Sequence, residues 1–306
     1  MSKQSSGVPL ISFLCATYNG ENLFFLHNID NLIALLDKSG INYEIIISDD
    51  CSSDNTWEIC KLLKQKHEGK IHLHRQKNNI GVYENYNFMI NNSRGKYFAI
   101  MDQDDKPVYA FYERAINFLE NNNNFCLAHS HSRVVSCQTN NVIRYETCFK
   151  MGVGEKPEER FLNTIKNNET LAMAGVIRKE VAKKTTGFRD IPGGDHIFLN
   201  ELSLYGNFYC VNEIGYEYYE DEFKYINSSD ISKITGRNFF LNSLWIFHNI
   251  LSLHRSQLFY KLEIFILIFK VIRLQKVFIV KDIYTVVKSL FLLPLMFKKR
   301  KNEKKF

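Results

Sequence analysis

An α/β fold, with a mainly parallel sheet and helices on both faces, is the architecture this sequence predicts. Two observations carry it. Between residues 10 and 121, apolar runs of strand length alternate with segments whose apolar residues recur at helical spacing. The resulting β-α-β-α-β-α-β order is that of parallel strands joined by crossover helices, which bury both sheet faces.

Leu10 to Ala16 is a short apolar run that fits a buried strand. Glu21 to Lys38 has helical spacing and stops at Gly40. Tyr43 to Ser48 is an isoleucine-rich second strand, and Ser52-Ser53-Asp54 supplies capping side chains for a helix reaching about His67. Ile71 to Arg75 is a third strand, Gly81 to Asn92 a helix and Lys96 to Met101 a fourth strand. A helix from Pro107 to Asn121 follows, with Pro107 in its first turn. Further on, Phe125 to Ser136 reads as a strand, Arg178 to Lys184 as a short helix, Asp195 to Tyr205 as a helix and Asn207 to Asn212 as a strand. The polar stretch 138–170 carries no clear periodicity.

With 306 residues, 45% of them hydrophobic, the chain can build one large domain and an appendage. We place the boundary after residue 237: a catalytic domain over 1–237, then a helical, aromatic and basic extension over 238–306. The net charge of +6 is uneven. Residues 241–306 hold 13 Lys/Arg against three Asp/Glu, while the rest of the chain is mildly acidic. A basic end with apolar stretches such as Ile264 to Phe269 and Ser289 to Phe297 fits amphipathic helices on an anionic membrane surface. The competing reading is a helical cap packed on the catalytic domain. Nucleic acid is a poor partner, because the basic residues are interleaved with aliphatic ones. Seven cysteines without C-x-x-C spacing suit a reducing, cytoplasmic setting. Met1 to Pro9 lacks the apolar core of a signal peptide, and no run reaches the roughly 20 apolar residues of a membrane span.

Phe98 to Asp105 is the most informative run. An apolar strand ends in Asp102-Gln103-Asp104-Asp105, three carboxylates within four positions. Such charges repel one another unless a cation or hydrogen-bond donors neutralise them. Hard carboxylate oxygens suit Mg²⁺ or Mn²⁺, which share such sites with substrate phosphates. Asp49-Asp50 ends the second strand and Thr17-Tyr18-Asn19 the first, at the edge where open α/β sheets bind ligands.

The order of these pieces resembles the inverting glycosyltransferases of family 2, which have the GT-A (nucleotide-diphospho-sugar transferase) fold. The matching segments are Ala16 to Gly20, Ser48 to Asp54, Asn78 to Gly81, Arg94 to Tyr97, the D-x-D-D run and Gly193-Gly194-Asp195, over roughly residues 8–220. The resemblance implies a nucleotide-sugar pocket formed by Thr17, Tyr18, Asn19, Asp50, Asn79, Gly81, Asp102, Gln103 and Asp104. Asp50 would accept from the pyrimidine N–H, and Asp49 would support its loop. Asp104 would be the direct ligand of Mn²⁺ or Mg²⁺, with Asp102 reaching the ribose or a metal-bound water and Asp105 structural. Asp195 would be the general base toward the acceptor hydroxyl. Members of the family often carry an acidic pair there, where this chain has Gly194.

Other readings stay open for these residues. Asp49 and Asp50 fit a turn cluster ahead of Asp54, Asn79 and Gly81 a plain turn, and Asp195 an N-cap. Lys233 and Arg237 are candidate phosphate contacts. The Q-x-x-R-W motif of processive synthases is absent. The resulting expectation is a non-processive transferase. It moves one sugar from a UDP- or dTDP-sugar to a glycan or lipid-linked glycan, at the cytoplasmic face of the membrane, in surface-polysaccharide synthesis. The rivals are a nucleotidyltransferase, which would show a Gly-rich basic loop in place of Asn19-Gly20-Glu21, and a catalytically inactive membrane scaffold.

Overall fold

The structure, a computed structural model, describes residues 7–21, 23–147, 150–167, 170–190 and 194–220. The extension over 238–306, the domain boundary, Lys233 and Arg237 lie outside the described residues.

The elements follow the chain as β1 (Ile11–Thr17), α1 (Leu23–Ser39), β2 (Tyr43–Asp49), α2 (Thr56–Lys66), β3 (Ile71–Arg75), α3 (Val82–Asn92), β4 (Tyr97–Asp102), β5 (Lys106–Pro107) and α4 (Tyr109–Asn121). After these come β6 (Phe125–Ser136), β7 (Val142–Glu146), α5 (Pro157–Lys166), a 3-10 turn (Thr170–Ala174), β8 (Val176–Arg178), α6 (Lys179–Ala182), α7 (Gly194–Tyr205) and β9 (Asn207–Glu220). One sheet runs β3-β2-β1-β4-β8-β6-β9-β5, with β7 on the free side of β6. The long ladders β3-β2, β2-β1, β1-β4 and β6-β9 are parallel. The antiparallel pairings are shorter and involve β8, β5 and β7. The expected mainly parallel α/β architecture is therefore present.

β1, β2 and β4 are apolar on both faces because helices cover both. Ile11, Phe13, Ile45 and Ile47 pack toward α1, α2 and α4, and Leu14, Ile46 and Phe98 toward α3 and α7. Each such side chain, withdrawn from water, contributes about 1.5–3 kcal/mol before its entropic cost. Buried Ser12 and Glu44 are paired with one another. Glu44 on β2 accepts from Ser12 Oγ (2.6 Å), the Arg94 amide (2.6 Å) and Arg94 Nε (2.8 Å), while Gly95 N donates to Ser12 Oγ (2.9 Å). Position 95 must be glycine, because a Cβ would sit 2.6 Å from both Ser12 Oγ and the Tyr97 carbonyl. This explains the Arg94-Gly95-Lys96-Tyr97 segment as a structural latch.

Three expectations need correction. Pro107 is not in a helical first turn: Lys106-Pro107 forms β5 against Tyr216 and Glu217, and α4 starts at Tyr109. A proline fits there because its missing N–H is tolerated at a sheet edge. Arg178 closes a strand rather than opening a helix, since its guanidinium donates to the carbonyls of Leu119 and Phe125. The last described strand continues to Glu220, well past Asn212.

Candidate active site

The parallel register brings the polar strand ends to one edge. Thr17 lies opposite Asp49, and Ala16 opposite Asp102. β1 has β2 on one side and β4 on the other, so the chain changes winding direction there. Ligands of open α/β sheets bind beyond the carboxyl ends of the strands at such a switch.

A cleft with two adjoining chambers opens at this edge, and Val82, Asp102 and Asp104 line both. The smaller chamber, about 220 Å³, is lined by Thr17, Tyr18, Asp50, Asn79, Gly81, Asp102, Gln103 and Asp104. Eight of the nine residues expected to hold a nucleotide sugar thus share one wall. Asn19 is the ninth and stands behind it. Asn19 adopts φ +46°, its amide donates to Ser52 Oγ (3.0 Å), and its Oδ1 accepts from the Ser53 amide (2.9 Å). It braces the Thr17–Gly20 turn against the loop before α2.

Two of the wall residues are themselves fixed by backbone. Asp50 accepts from the amides of Ile80 (2.8 Å) and Gly81 (2.9 Å). It therefore sets the turn ahead of α3, where Gly81 takes φ +84°, a conformation that favours glycine. Gln103 Oε1 accepts from Thr17 Oγ1 (2.5 Å) and the Tyr18 amide (3.1 Å), and its Nε2 donates to the Tyr18 carbonyl (3.2 Å). Asp49 is fully buried behind them, pairs with Arg75 Nε of β3 at 3.1 Å, and accepts from the Ser52 amide (3.3 Å) and hydroxyl of the loop before α2.

The D-x-D run divides its labour. Asp105 is buried and accepts from the Tyr216 hydroxyl (2.9 Å) and the Tyr219 amide (3.1 Å). Burial, together with Asp102 and Asp104, pushes its carboxyl well above the usual range. Asp102 accepts from the Tyr86 hydroxyl of α3. Burial, with Asp104 next to it, raises its carboxyl, and the Tyr86 bond only partly offsets this. Asp104 is exposed at the junction of the chambers. Among the described residues no cluster of three or more His, Cys, Asp or Glu forms a ready-made metal cage. The donor set still fits Mg²⁺ or Mn²⁺. Two mutually repelling carboxylates face a space open to phosphate, and these ions use few protein ligands and complete their shells with water and phosphate oxygens.

The larger chamber, about 510 Å³, holds Asp195 in the first turn of α7. Tyr83 of α3 lies beside Asp195, and burial followed by the Asp195 charge pushes its phenol up to about 12, while Asp195 Oδ1 accepts from the His196 amide (2.8 Å). Its ring stacks on Phe188, which stacks on Phe198 of α7 (4.2 Å between centroids). A Cβ at Gly194 would collide with the Arg189 carbonyl and press on the Tyr83 ring at 3.1 Å. The second acidic residue expected beside Asp195 has no room here, and a tyrosine hydroxyl from another helix is its neighbour instead.

Tyr83, Tyr86 and Tyr216 are site residues that sequence reasoning missed. For Tyr83 and Tyr86 a signal existed: they open a helix that follows the Asn79–Gly81 turn. Tyr216 sits beyond the predicted end of its strand and had none.

Solved structures with this fold include a 1–349 fragment of S. aureus TarS with UDP-GlcNAc. It shows a TM-score of 0.52 at 16% identity, over 69% of this chain and 58% of that one. Another is the mannosyltransferase PcManGT from Pyrobaculum calidifontis with GDP-Man and Mn²⁺, with a TM-score of 0.50 at 16% identity, over 70% and 57%. Among curated relatives, an uncharacterized glycosyltransferase of Haemophilus influenzae is 27% identical over 65% of this chain and 61% of its own length. The putative teichuronic acid biosynthesis glycosyltransferase TuaG of Bacillus subtilis is 31% identical over 36% and 42%. The UDP-Glc:alpha-D-GlcNAc-diphosphoundecaprenol beta-1,3-glucosyltransferase WfaP of Escherichia coli is 30% identical over 37% and 42%. The matches span less than two thirds of the length of these three relatives. The family described as Glycosyl transferase family 2 matches residues 12–185, which carry every strand end of the smaller chamber and stop short of Asp195. That match takes in more than half of the chain and agrees with the fold, so the protein belongs to glycosyl transferase family 2.

Proposed function

We propose that this chain transfers a single sugar from a nucleotide diphosphate sugar, UDP- or dTDP-linked, to an acceptor hydroxyl with inversion. The observation that carries the reading is the two-chambered cleft. One chamber gathers the expected nucleotide residues, the other holds a single carboxylate on a helix start, and Asp102 and Asp104 stand between them. Asp195 takes the proton of the acceptor hydroxyl as that oxygen attacks the anomeric carbon. The nucleotide leaves from the opposite face, and one displacement inverts the configuration, as in inverting glycosidases. Asp104, with Asp102, holds Mn²⁺ or Mg²⁺, which when bound offsets the negative charge that develops on the departing diphosphate. Tyr83 orients Asp195.

The acceptor in this reading is a lipid-linked glycan of cell-surface polysaccharide synthesis, in keeping with the substrate named for the E. coli relative. The basic 238–306 region then holds the enzyme on the inner, cytoplasmic face of the membrane. No described helix is long and apolar enough to cross a membrane. Co-sedimentation with anionic vesicles at two salt concentrations checks that part, with binding expected to weaken as salt rises.

The deciding experiment is turnover with a panel of UDP- and dTDP-sugars, with Mn²⁺ or with EDTA, reading the product anomer by NMR. Inverted product formed only with the cation is expected. Retained configuration, or turnover indifferent to EDTA, overturns the mechanism. Failure to bind any nucleotide overturns the donor reading itself.

A further inference from the structure

The wall of the larger chamber away from the nucleotide residues is built by an edge strand, a 3-10 turn and the end of β9. Arg144 and Glu146 come from β7, Leu171 and Met173 from the turn, and Tyr216 and Tyr218 from β9. Side chains alternate along a strand, so Arg144 and Glu146 share a face while Ile143 and Tyr145 point the other way, 43% and 63% exposed. Arg144 Nε donates to Glu146 Oε1 at 3.0 Å. A guanidinium tied to a carboxylate in this way presents N–H donors and a carboxylate oxygen side by side, in a fixed plane. That pairing matches adjacent hydroxyls on a sugar ring, each of which both donates and accepts. Tyrosine and aliphatic side chains beside it suit the C–H faces of the same ring.

Charge narrows the substrate further. Among the described lining residues Arg144 is the one Lys or Arg, against Asp102, Asp104, Asp105, Glu146 and Asp195. A divalent cation and the donor diphosphate largely neutralise each other. What remains facing the acceptor is negative, and a carboxylate or phosphate on the terminal acceptor sugar would meet like charge.

We infer that the Arg144–Glu146 pair with Tyr216, Tyr218, Leu171 and Met173 forms the acceptor subsite, and that it takes an uncharged, hydroxyl-rich terminal sugar. The inference rests on the donor-and-base reading of the cleft. Direct binding tests it without turnover. Ligand-observed NMR is run on the full chain with UDP and Mn²⁺, using p-nitrophenyl β-glucoside, p-nitrophenyl β-N-acetylglucosaminide and p-nitrophenyl β-glucuronide. At least one neutral glycoside is expected to bind, and the glucuronide to bind at least about tenfold more weakly. Arg144→Ala and Glu146→Gln should each weaken the neutral ligand about tenfold, the usual effect of losing a charge-assisted hydrogen bond. Ile143→Ser, on the opposite face of the strand, should leave it unchanged and so controls for damage to β7. Equal binding of the glucuronide, or parental binding by Arg144→Ala and Glu146→Gln, overturns the proposal. So does absence of binding by both neutral glycosides while UDP still binds. If UDP itself fails to bind, the donor reading has failed, and that result is distinct from the others.

Discussion

The smaller chamber is made of strand ends and the loops that follow them, all within residues 16–104, whereas the larger one collects side chains from α3, β7, the 3-10 turn, α7 and β9. In the smaller chamber, backbone amides hold the polar side chains: those of Ile80 and Gly81 hold Asp50, and that of Tyr18, together with the Thr17 hydroxyl, holds Gln103. In the larger chamber, tyrosines from other elements add to the backbone bonds: Tyr86 donates to Asp102, Tyr216 to Asp105 beside the Tyr219 amide, and Tyr83 lies beside Asp195, which accepts from the His196 amide. On the proposed reading, the first arrangement sets a rigid frame for a nucleotide and diphosphate. The second can be re-cut one side chain at a time, which would suit the acceptor role proposed for it.

If the larger chamber houses the chemistry, Asp195→Asn should lower kcat by about 10²–10⁴-fold, the usual contribution of a general base. UDP affinity should stay within about twofold, because Asp195 lies outside the smaller chamber. Parallel turnover and calorimetry check this, and a folded, fully active variant would blur the distinction between the chambers. Glu201 is no substitute base: it is buried and engaged by the Thr186 amide, the Thr186 hydroxyl and Arg189.

Asp104 sits at the junction, so its loss should register on both sides. Asp104→Asn should lower turnover by about 10²–10³-fold, as removal of one electrostatic stabiliser of developing charge does. UDP binding should weaken in Mn²⁺ and match the parent in EDTA. Equal binding by both proteins in both conditions would remove Asp104 as a ligand.

The contrast between the chambers also explains what was legible in the sequence. β1 to β4 and the turns after them were readable because buried parallel strands are near-continuous apolar runs, and each ends in a contiguous polar motif. Asp195 was readable only through the Gly193-Gly194-Asp195 likeness. β7 and α5 were not, since a half-exposed edge strand such as Val142–Glu146 carries little apolar signal. Tyr216 was invisible for a different reason: β9 continues because β6 and β5 flank it, a tertiary cause that no local pattern reports. Pro107 was misplaced on the same ground.

The scaffold beneath the smaller chamber yields a stability prediction. Glu44 is 2% exposed. Burial alone would raise its carboxyl, but the Ser12 hydroxyl and the Arg94 amide and guanidinium together hold it below the usual range. A depressed folded-state value means the stabilisation is present above the unfolded value, about 4.3, and is lost as pH falls through the folded one. Glu44→Gln should therefore cost about 1.5–3 kcal/mol at neutral pH, in the range for hydrogen bonds to a charged group. The gap between variant and parent in urea melts should close below about pH 4. A gap that stays constant with pH would show that shape, not charge, holds the latch.

The finest cut lies between Tyr83 and Asp195. Tyr83→Phe keeps the ring that stacks on Phe188 and removes only the hydroxyl that meets Asp195. The helix and the smaller chamber should be undisturbed, so UDP affinity and the melting temperature should hold. What changes is the freedom of the Asp195 carboxylate, which keeps the His196 amide but loses the neighbouring hydroxyl and can turn away from the acceptor hydroxyl. Misorientation of a base acts on the chemical step, so kcat should fall about tenfold while acceptor KM stays near the parental value. Tyr83→Ala removes the stacked ring as well and should fall further, with some loss of stability. If Tyr83→Phe instead raises KM at constant kcat, the hydroxyl contacts the acceptor and belongs with Arg144 and Glu146. If it changes neither, Asp195 is held by its helix alone, and the larger chamber is as backbone-determined as the smaller one.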